Sequence, residues 1–144
     1  MNSRLTRLAL VTGTAALALT TTGGPALAAP APTVAVSPST GLGDGQVVTV
    51  TGAGFTPGKL LAVGQCEMEN LHCALDDDLE VTADKSGAFS TRITVRKAYK
   101  GTNPKDHTEQ AVDCAAQACS IAAVDPADGG DNVEYGVSET LSFS

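Results

Sequence analysis

The fold of this chain is indicated most clearly by residues 89–96, which read FSTRITVR. The apolar side chains of Phe89, Ile93 and Val95 fall on one face, and polar or basic residues alternate with them. A period of two is typical of a β-strand with one buried face. The residues just before this strand, 84–87 (DKSG), predict the turn of a hairpin.

Short segments of the same type recur on both sides of this strand. Gly, Pro, Asp and Asn separate them, and none outside the N-terminus shows a sustained helical period. Seven or eight short strands at this spacing predict an all-β antiparallel sandwich with Greek-key connections. Two of the other predicted strands are identified by their apolar residues, Val34 with Val36 and Val48 with Val50. The remaining predicted strands cover 59–66, 79–83, 110–114, 119–124 and 140–144. Residues 99–108 are predicted to form a polar loop.

The four cysteines fall into two close pairs, Cys66 with Cys73 and Cys114 with Cys119. Four cysteines allow three pairings, and proximity in the chain favours these two local disulfides. Each disulfide would close a short loop and, by restricting the unfolded chain, would stabilise the fold by roughly 2–2.5 kcal/mol. A zinc site is the alternative, but the sequence has no CxxC spacing.

The N-terminus has the pattern of a secretory signal. Arg4 and Arg7 precede an apolar stretch over 8–19, and residues 26–28 read ALA, a cleavage site. We therefore expect residues 1–28 to be removed and residues 29–144 to form one secreted domain with no membrane attachment after cleavage. A retained N-terminal anchor is the alternative.

The charge of residues 29–144 is strongly acidic. Two of the nine Lys and Arg residues, Arg4 and Arg7, lie before this range, so seven basic residues face sixteen acidic ones, a net charge of −9. This argues against tight binding to DNA, RNA or anionic membranes, because such binding needs clustered cations. We interpret the basic residues as a solvated strand face and loop; they are Arg92, Arg96, Lys97, Lys100 and Lys105.

Candidate catalytic and metal-binding residues are sparse. His72 and His107 stand alone, His72 is expected in an exposed loop, and no Ser/His/Asp or Cys/His set is evident, so we do not expect an enzyme. Calcium is an alternative at two acidic groups, but neither has EF-hand spacing, and solvated loop charge is the favoured interpretation. The groups are Asp76, Asp77 and Asp78, and Asp125, Asp128, Asp131 and Asn132.

The order and spacing of several short segments resemble the neocarzinostatin family, the apoproteins of the enediyne chromoprotein antibiotics. The resemblance extends over essentially all of residues 29–144. The matching segments are 36–42 (VSPSTGL), 50–54 (VTGAG), 63–66 (VGQC), 81–84 (VTAD), 94–97 (TVRK), 112–119 (VDCAAQAC) and 142–144 (SFS).

The resemblance implies a seven-stranded immunoglobulin-like β-barrel with a smaller β-ribbon subdomain. In the family, the cleft between them holds a labile enediyne chromophore without a covalent bond. The implied function is that of a secreted, monomeric carrier that protects and delivers this molecule and meets DNA only through it. The alternative is a secreted β-sandwich that has lost the ligand and contacts cell surfaces or proteins.

The resemblance also assigns a ligand site. It places the Cys66–Cys73 cystine at the cleft floor and the Cys114–Cys119 cystine in a loop at its rim. Aromatic residues of the family are replaced by Met68 and by the acidic run near Asp78, which implies weaker binding of a flat ring. The implied ligand-binding residues are Cys66, Met68, Leu71, Cys73, Tyr99, Ser120 and Val124.

Overall fold

A computed structural model of the chain describes residues 23–25, 29–126 and 134–144. The expected signal and its cleavage site, in 1–22 and 26–28, lie outside these residues, as do Asp128, Asp131 and Asn132. Across the described residues, no helix has both the length and the apolar character needed to cross a membrane.

The described residues form an all-β structure of ten strands, with one short 3-10 turn at Leu75–Asp77. This confirms the predicted fold class. The strands are β1 (Thr33–Ser37), β2 (Gln46–Ala53), β3 (Leu60–Glu67), β4 (His72–Cys73), β5 (Leu79–Thr82), β6 (Phe89–Val95), β7 (Ala98–Thr102), β8 (Glu109–Asp113), β9 (Cys119–Val124) and β10 (Tyr135–Val137).

The strands make two sheets, and all strand pairings are antiparallel. One sheet has the order β1-β2-β6; the other has the order β10-β9-β3-β4-β7-β8, with β5 also paired to β3. Strand β3 therefore has β9 along one edge, and β5 and then β4 along the other. The β4, β7 and β8 strands form the ribbon of the smaller subdomain.

The core lies between the inner faces of the two sheets. The alternation predicted for β1, β2 and β6 is confirmed, since the residues on their predicted apolar faces are buried and the residues between them are exposed or half-buried. The buried residues are Val34, Val36, Val48, Val50, Phe89, Ile93 and Val95. The opposite sheet contributes Leu61, Val63 and Ile121, and Leu42 and Leu141 close the core; all five are essentially inaccessible. The main core cluster thus excludes the alternate residues of β3, which face outward.

One predicted loop is wrong. Residues 98–102, placed mostly in a polar loop, form strand β7, which pairs with β8 in a regular ladder. The strand carries few apolar residues, and its buried position is Gly101, which has no side chain to signal burial. A Cβ at Gly101 would lie 2.7 Å from the Cβ of His72, so the two strands pack closely because this residue is glycine.

Both predicted disulfides, Cys66–Cys73 and Cys114–Cys119, are present, and none of the described cysteines is free. Cys66 and Cys73 are also direct register partners of β3 and β4, with Cα atoms 4.0 Å apart. This bond ties the ribbon to the main sheet. The other bond closes the turn between β8 and β9.

Replacing both Cys114 and Cys119 by serine is expected to lower the free energy of unfolding by roughly 2 kcal/mol without loss of the sheet. The loop that this disulfide closes spans only 5 positions, so its removal restores little freedom to the unfolded chain. Urea unfolding monitored by circular dichroism measures the effect. A native spectrum that is lost altogether would contradict the expectation.

Candidate functional site

An open cleft of about 250 Å³ lies on the outer face of β3 and β9, where the ribbon meets the main sheet. Most of its lining side chains are apolar, and one is a carboxylate. Among the described residues, none that lines the cleft is aromatic, histidine, lysine or arginine. The lining residues are Ala62, Gly64, Cys66, Leu71, Cys73, Leu75, Asp78, Pro104, Ala122, Val124 and Pro126.

The floor of the cleft follows from the register of β3 and β9. Gly64 is paired with Ala122 and Ala62 with Val124, and directly paired residues of antiparallel strands share a face. Residues Leu61 and Val63 of β3 enter the core, so Ala62 and Gly64 face the cleft. These residues are small and leave space above the strand, and the atoms nearest to a Cβ built at Gly64 belong to Asp78, at 3.7 Å and beyond.

The walls come from the segment that leaves β3 and returns to it. This segment begins with the turn that places Leu71 at the rim with a φ of 55°, and continues through Cys73. The 3-10 turn then supplies Leu75, and Asp78 follows it in extended conformation. Because β4 and β5 pair with β3 at either end, this connection passes over Gly64 between them.

Asp78 is the charged group of the lining. Burial raises the pKa of this carboxyl, and the neighbouring charges of Asp76, Glu80 and Asp77 raise it further. Asp77 differs, because the hydrogen bond from Arg96, Nε to Oδ2 at 2.6 Å, lowers the pKa of that carboxyl. The cleft therefore presents one carboxylate that has no basic partner among the described residues.

The structure brings together four of the seven predicted ligand-binding residues: Cys66, Leu71, Cys73 and Val124 line the cleft. Met68 packs against the small cluster formed by Cys66, Cys73 and Ala122, but it does not line the cleft. Ser120 is the register partner of Cys66 and is buried, again without lining it.

Tyr99 lies away from the cleft. It borders a separate polar hollow of about 300 Å³ beside Asp77, Arg96 and Lys100. Its hydroxyl donates to the carbonyl oxygen of His72 at 3.0 Å, and burial raises the pKa of the phenol. The Cys114–Cys119 cystine, which the resemblance places at the rim, packs in a cluster with Tyr99 and is not among the residues that line the cleft.

Directly behind the Cys66–Cys73 cystine lies a buried polar pair. Glu67 is 0 % exposed and His72 is 7 % exposed, so the expectation that His72 lies in an exposed loop is wrong. The His72 Nδ1 atom is 3.9 Å from a Glu67 carboxylate oxygen and has no hydrogen-bond partner among the described residues. His72 is buried because Gly101 leaves room for it on the neighbouring strand.

The acidic loop residues also differ from expectation in part. Asp125 is buried and forms an ion pair with Lys59, so it is not a solvated loop charge. No group of three or more acidic, histidine or cysteine side chains within the described ranges could hold a metal ion. The cleft is the candidate site, and its described lining is mostly apolar with one carboxylate.

Sequence reasoning missed the floor of the cleft. Ala62, Gly64 and Ala122 were not among the predicted binding residues, and neither were Leu75 and Pro104. One signal was available: residues 61–66 (LAVGQC) alternate large with small side chains, which is the pattern of a strand with a packed face and an open face.

A sequence profile described as the neocarzinostatin family matches residues 34–139. Macromomycin from Streptomyces macromomyceticus is 32 % identical over 109 residues, which is 73 % of this chain and 72 % of that protein. Actinoxanthin and the antitumor antibiotic C-1027 apoprotein, both from Streptomyces globisporus, are each 36 % identical over 86 residues. The chain spans only 60 % of the length of these last two.

Solved structures show the same similarity. The macromomycin structure superimposes with a TM-score of 0.67 at 30 % identity, covering 79 % of this chain and all of that one. The solution structure of apokedarcidin gives a TM-score of 0.58 at 30 % identity, over 80 % of this chain and all of that one. The fold described above is therefore that of macromomycin.

Proposed function

Because the chain belongs to the neocarzinostatin family, we propose that it is a secreted carrier that binds and protects a small apolar molecule in the cleft. The ligand is of the enediyne-chromophore type, is held without a covalent bond, and does the DNA damage itself. The protein acts as a binding module and not as an enzyme. The names of the related proteins, one of them an antibiotic apoprotein, support this role at the level of the family.

The observation that carries the proposal is the cleft on the outer face of β3 and β9. Small-molecule sites are concave and mostly apolar, with few polar groups, and this cleft has that character. Its volume of about 250 Å³ suits one flat ring system, with the rest of a larger ligand lying over the rim. The Cys66–Cys73 cystine ties the wall segment to the floor strand β3, which restrains this side of the cleft.

The charge distribution of the protein supports a role in which the ligand, and not the protein surface, contacts DNA. Two of the basic side chains are neutralised by acidic partners, Arg96 by Asp77 and Lys100 by Glu109, each at 2.6 Å. A polyanion such as DNA would have to displace these acidic partners in order to bind, and the negative net charge of the protein would repel it. Export is supported by the predicted signal and by the two disulfides, which form in oxidising compartments.

The test is a change that fills the cleft without disturbing the fold. Gly64→Leu is expected to weaken binding of naphthylmethanol, a neutral fluorescent ring compound, by about tenfold or more. The new side chain would enter the cleft, because a Cβ there meets nothing closer than 3.7 Å. Titration of probe fluorescence measures the affinity, and the sequence contains no Trp to interfere.

Gly43→Leu is the matched control. Gly43 is exposed and does not line the cleft, and a Cβ there would make only an ordinary contact of 3.8 Å with Gln46 Oε1, so this variant should bind like the wild type. Equal binding by the Gly64→Leu variant would place the ligand elsewhere. A native mass spectrum of protein from its producing cells addresses the alternative role, since material with no bound small molecule would favour an interaction module.

A further inference from the structure

We propose that the cleft selects ligands that carry a positively charged amine beside the apolar ring, and that Asp78 is the residue that determines this preference. The inference rests on the proposed function, because it concerns the chemistry of the molecule that the same cleft binds. It goes beyond that function by assigning a charge to the ligand.

The position of Asp78 places a carboxylate directly over the cleft floor. A Cβ built at Gly64 would lie 3.7 Å from Asp78 Oδ1 and 3.8 Å from Asp78 Cγ. The Asp78 side chain thus packs against Gly64, and the rest of the floor is formed by the neighbouring Ala62 and Ala122. A flat ring resting on these alanines would lie beside the carboxylate, and an amine attached to the ring would face Asp78.

Among the described residues, none forms a hydrogen bond or an ion pair with the Asp78 side chain. Its neighbour Asp77 shows what a structural aspartate does here, since Arg96 donates to both of its oxygens, at 2.6 and 3.3 Å. No basic side chain among the described lining residues could serve Asp78 in the same way. Asp78 is exposed, so its carboxylate is accessible to a cationic ligand in the cleft.

The surroundings of Asp78 favour cations and oppose anions. Asp76, Asp77 and Glu80 all act on this carboxyl and raise its pKa, after the larger effect of burial. A site with uncompensated negative charge attracts a positive ligand and repels a negative one, which is a source of selectivity.

The charge of Asp78 also opposes the stability of the free protein. A carboxyl whose pKa is higher in the folded than in the unfolded state stabilises the fold only when it is protonated. This contribution is lost as the pH rises through the folded pKa, so at neutral pH the charged form is unfavourable. Asp78→Asn should therefore raise the melting temperature at neutral pH, as expected when a residue is placed for binding and not for stability.

The experiment uses three probes of similar shape: naphthylmethylamine, which is a cation, naphthylmethanol, which is neutral, and naphthoate, which is an anion. The wild type should bind the cation about fivefold more tightly than the neutral probe, as expected for a partly exposed ion pair, and the anion most weakly. Asp78→Asn should abolish the preference for the cation. Glu139→Gln, which removes a charge that does not line the cleft, should retain it.

Two further conditions distinguish an effect of the probe's charge from an effect of its shape. Added salt should reduce the preference of the wild type, because it screens exposed charges. Acidification should remove the preference as the pH falls through the raised pKa of Asp78, because protonation removes the charge. The neutral probe should respond to neither condition.

The outcomes distinguish this inference from the proposed function. If the neutral probe binds the wild type but the cation binds no better, the assignment of charge is wrong and the carrier function stands. The same holds if Asp78→Asn keeps the preference. If none of the probes binds, both the inference and the carrier function are overturned.

Discussion

Replacing Glu67 by alanine is expected to lower the free energy of unfolding by about 3 kcal/mol. The carboxylate is 0 % exposed, and it accepts hydrogen bonds from the backbone N–H groups of Glu69, at 2.6 Å, and Asn70, at 3.1 Å. Both donors belong to the turn that joins β3 to β4. Truncation leaves them without these acceptors and opens a cavity beside the Cys66–Cys73 cystine.

The matched control is Glu69→Ala, two residues along the same turn. Glu69 is exposed, so this change should alter stability by no more than about 0.5 kcal/mol. Urea unfolding measures both changes in the free energy of unfolding, provided that its dependence on urea concentration is the same for the two variants. Because the turn also positions Leu71 at the cleft, the Glu67→Ala variant should bind naphthylmethanol less tightly. Equal unfolding midpoints for the two variants would show that the buried carboxylate does not hold the turn.

Replacing Gly87 by alanine is also expected to cost about 3 kcal/mol. Gly87 ends the turn before β6 with a φ of 77°, and a Cβ there would lie only 2.1 Å from the carbonyl oxygen of Phe55. The contact cannot relax easily, because the Gly87 carbonyl accepts a hydrogen bond from the Phe55 N–H at 3.0 Å. The whole turn would have to move away from the core residue Phe55.

Gly58 provides the comparison for this variant. It has the same φ of 77°, but a Cβ there would meet nothing within 4 Å. Gly58→Ala therefore carries only the cost of the left-handed conformation, about 1 kcal/mol. Thermal unfolding of the two variants separates backbone preference from steric contact. Equal melting temperatures would mean that the approach to Phe55 is not limiting.

The strands that could be predicted from the sequence are those with one buried and one exposed face. β1, β2 and β6 have this alternation, and the register of β2 with β6 keeps their apolar residues on the same side. The turn over 84–87 was predictable as well, since the Asp84 side chain accepts from the Ser86 and Ala88 N–H groups, as is common for Asp in turns.

The ribbon and the cleft were harder to predict for a common reason. β4 is only two residues long and is held by a disulfide and by neighbouring strands, so it has no period of its own. β7 buries a glycine, and the cleft floor consists of glycine and alanine, whose small side chains give no hydrophobic signal. The cystine at the cleft was anticipated through the family resemblance, whereas Asp78 appeared in the sequence only as part of an acidic run.

The alternation of strand β3 has a consequence for redesigning the proposed binding cleft. Its odd-numbered residues Leu61 and Val63 belong to the main core, and its even-numbered residues Ala62 and Gly64 belong to the cleft. Substitutions at the even positions can therefore reshape the cleft while the core residues stay constant. A library that varies positions 62 and 64 of β3 together with position 122 of the neighbouring β9 would therefore change the proposed binding surface while the core residues of both strands stay constant.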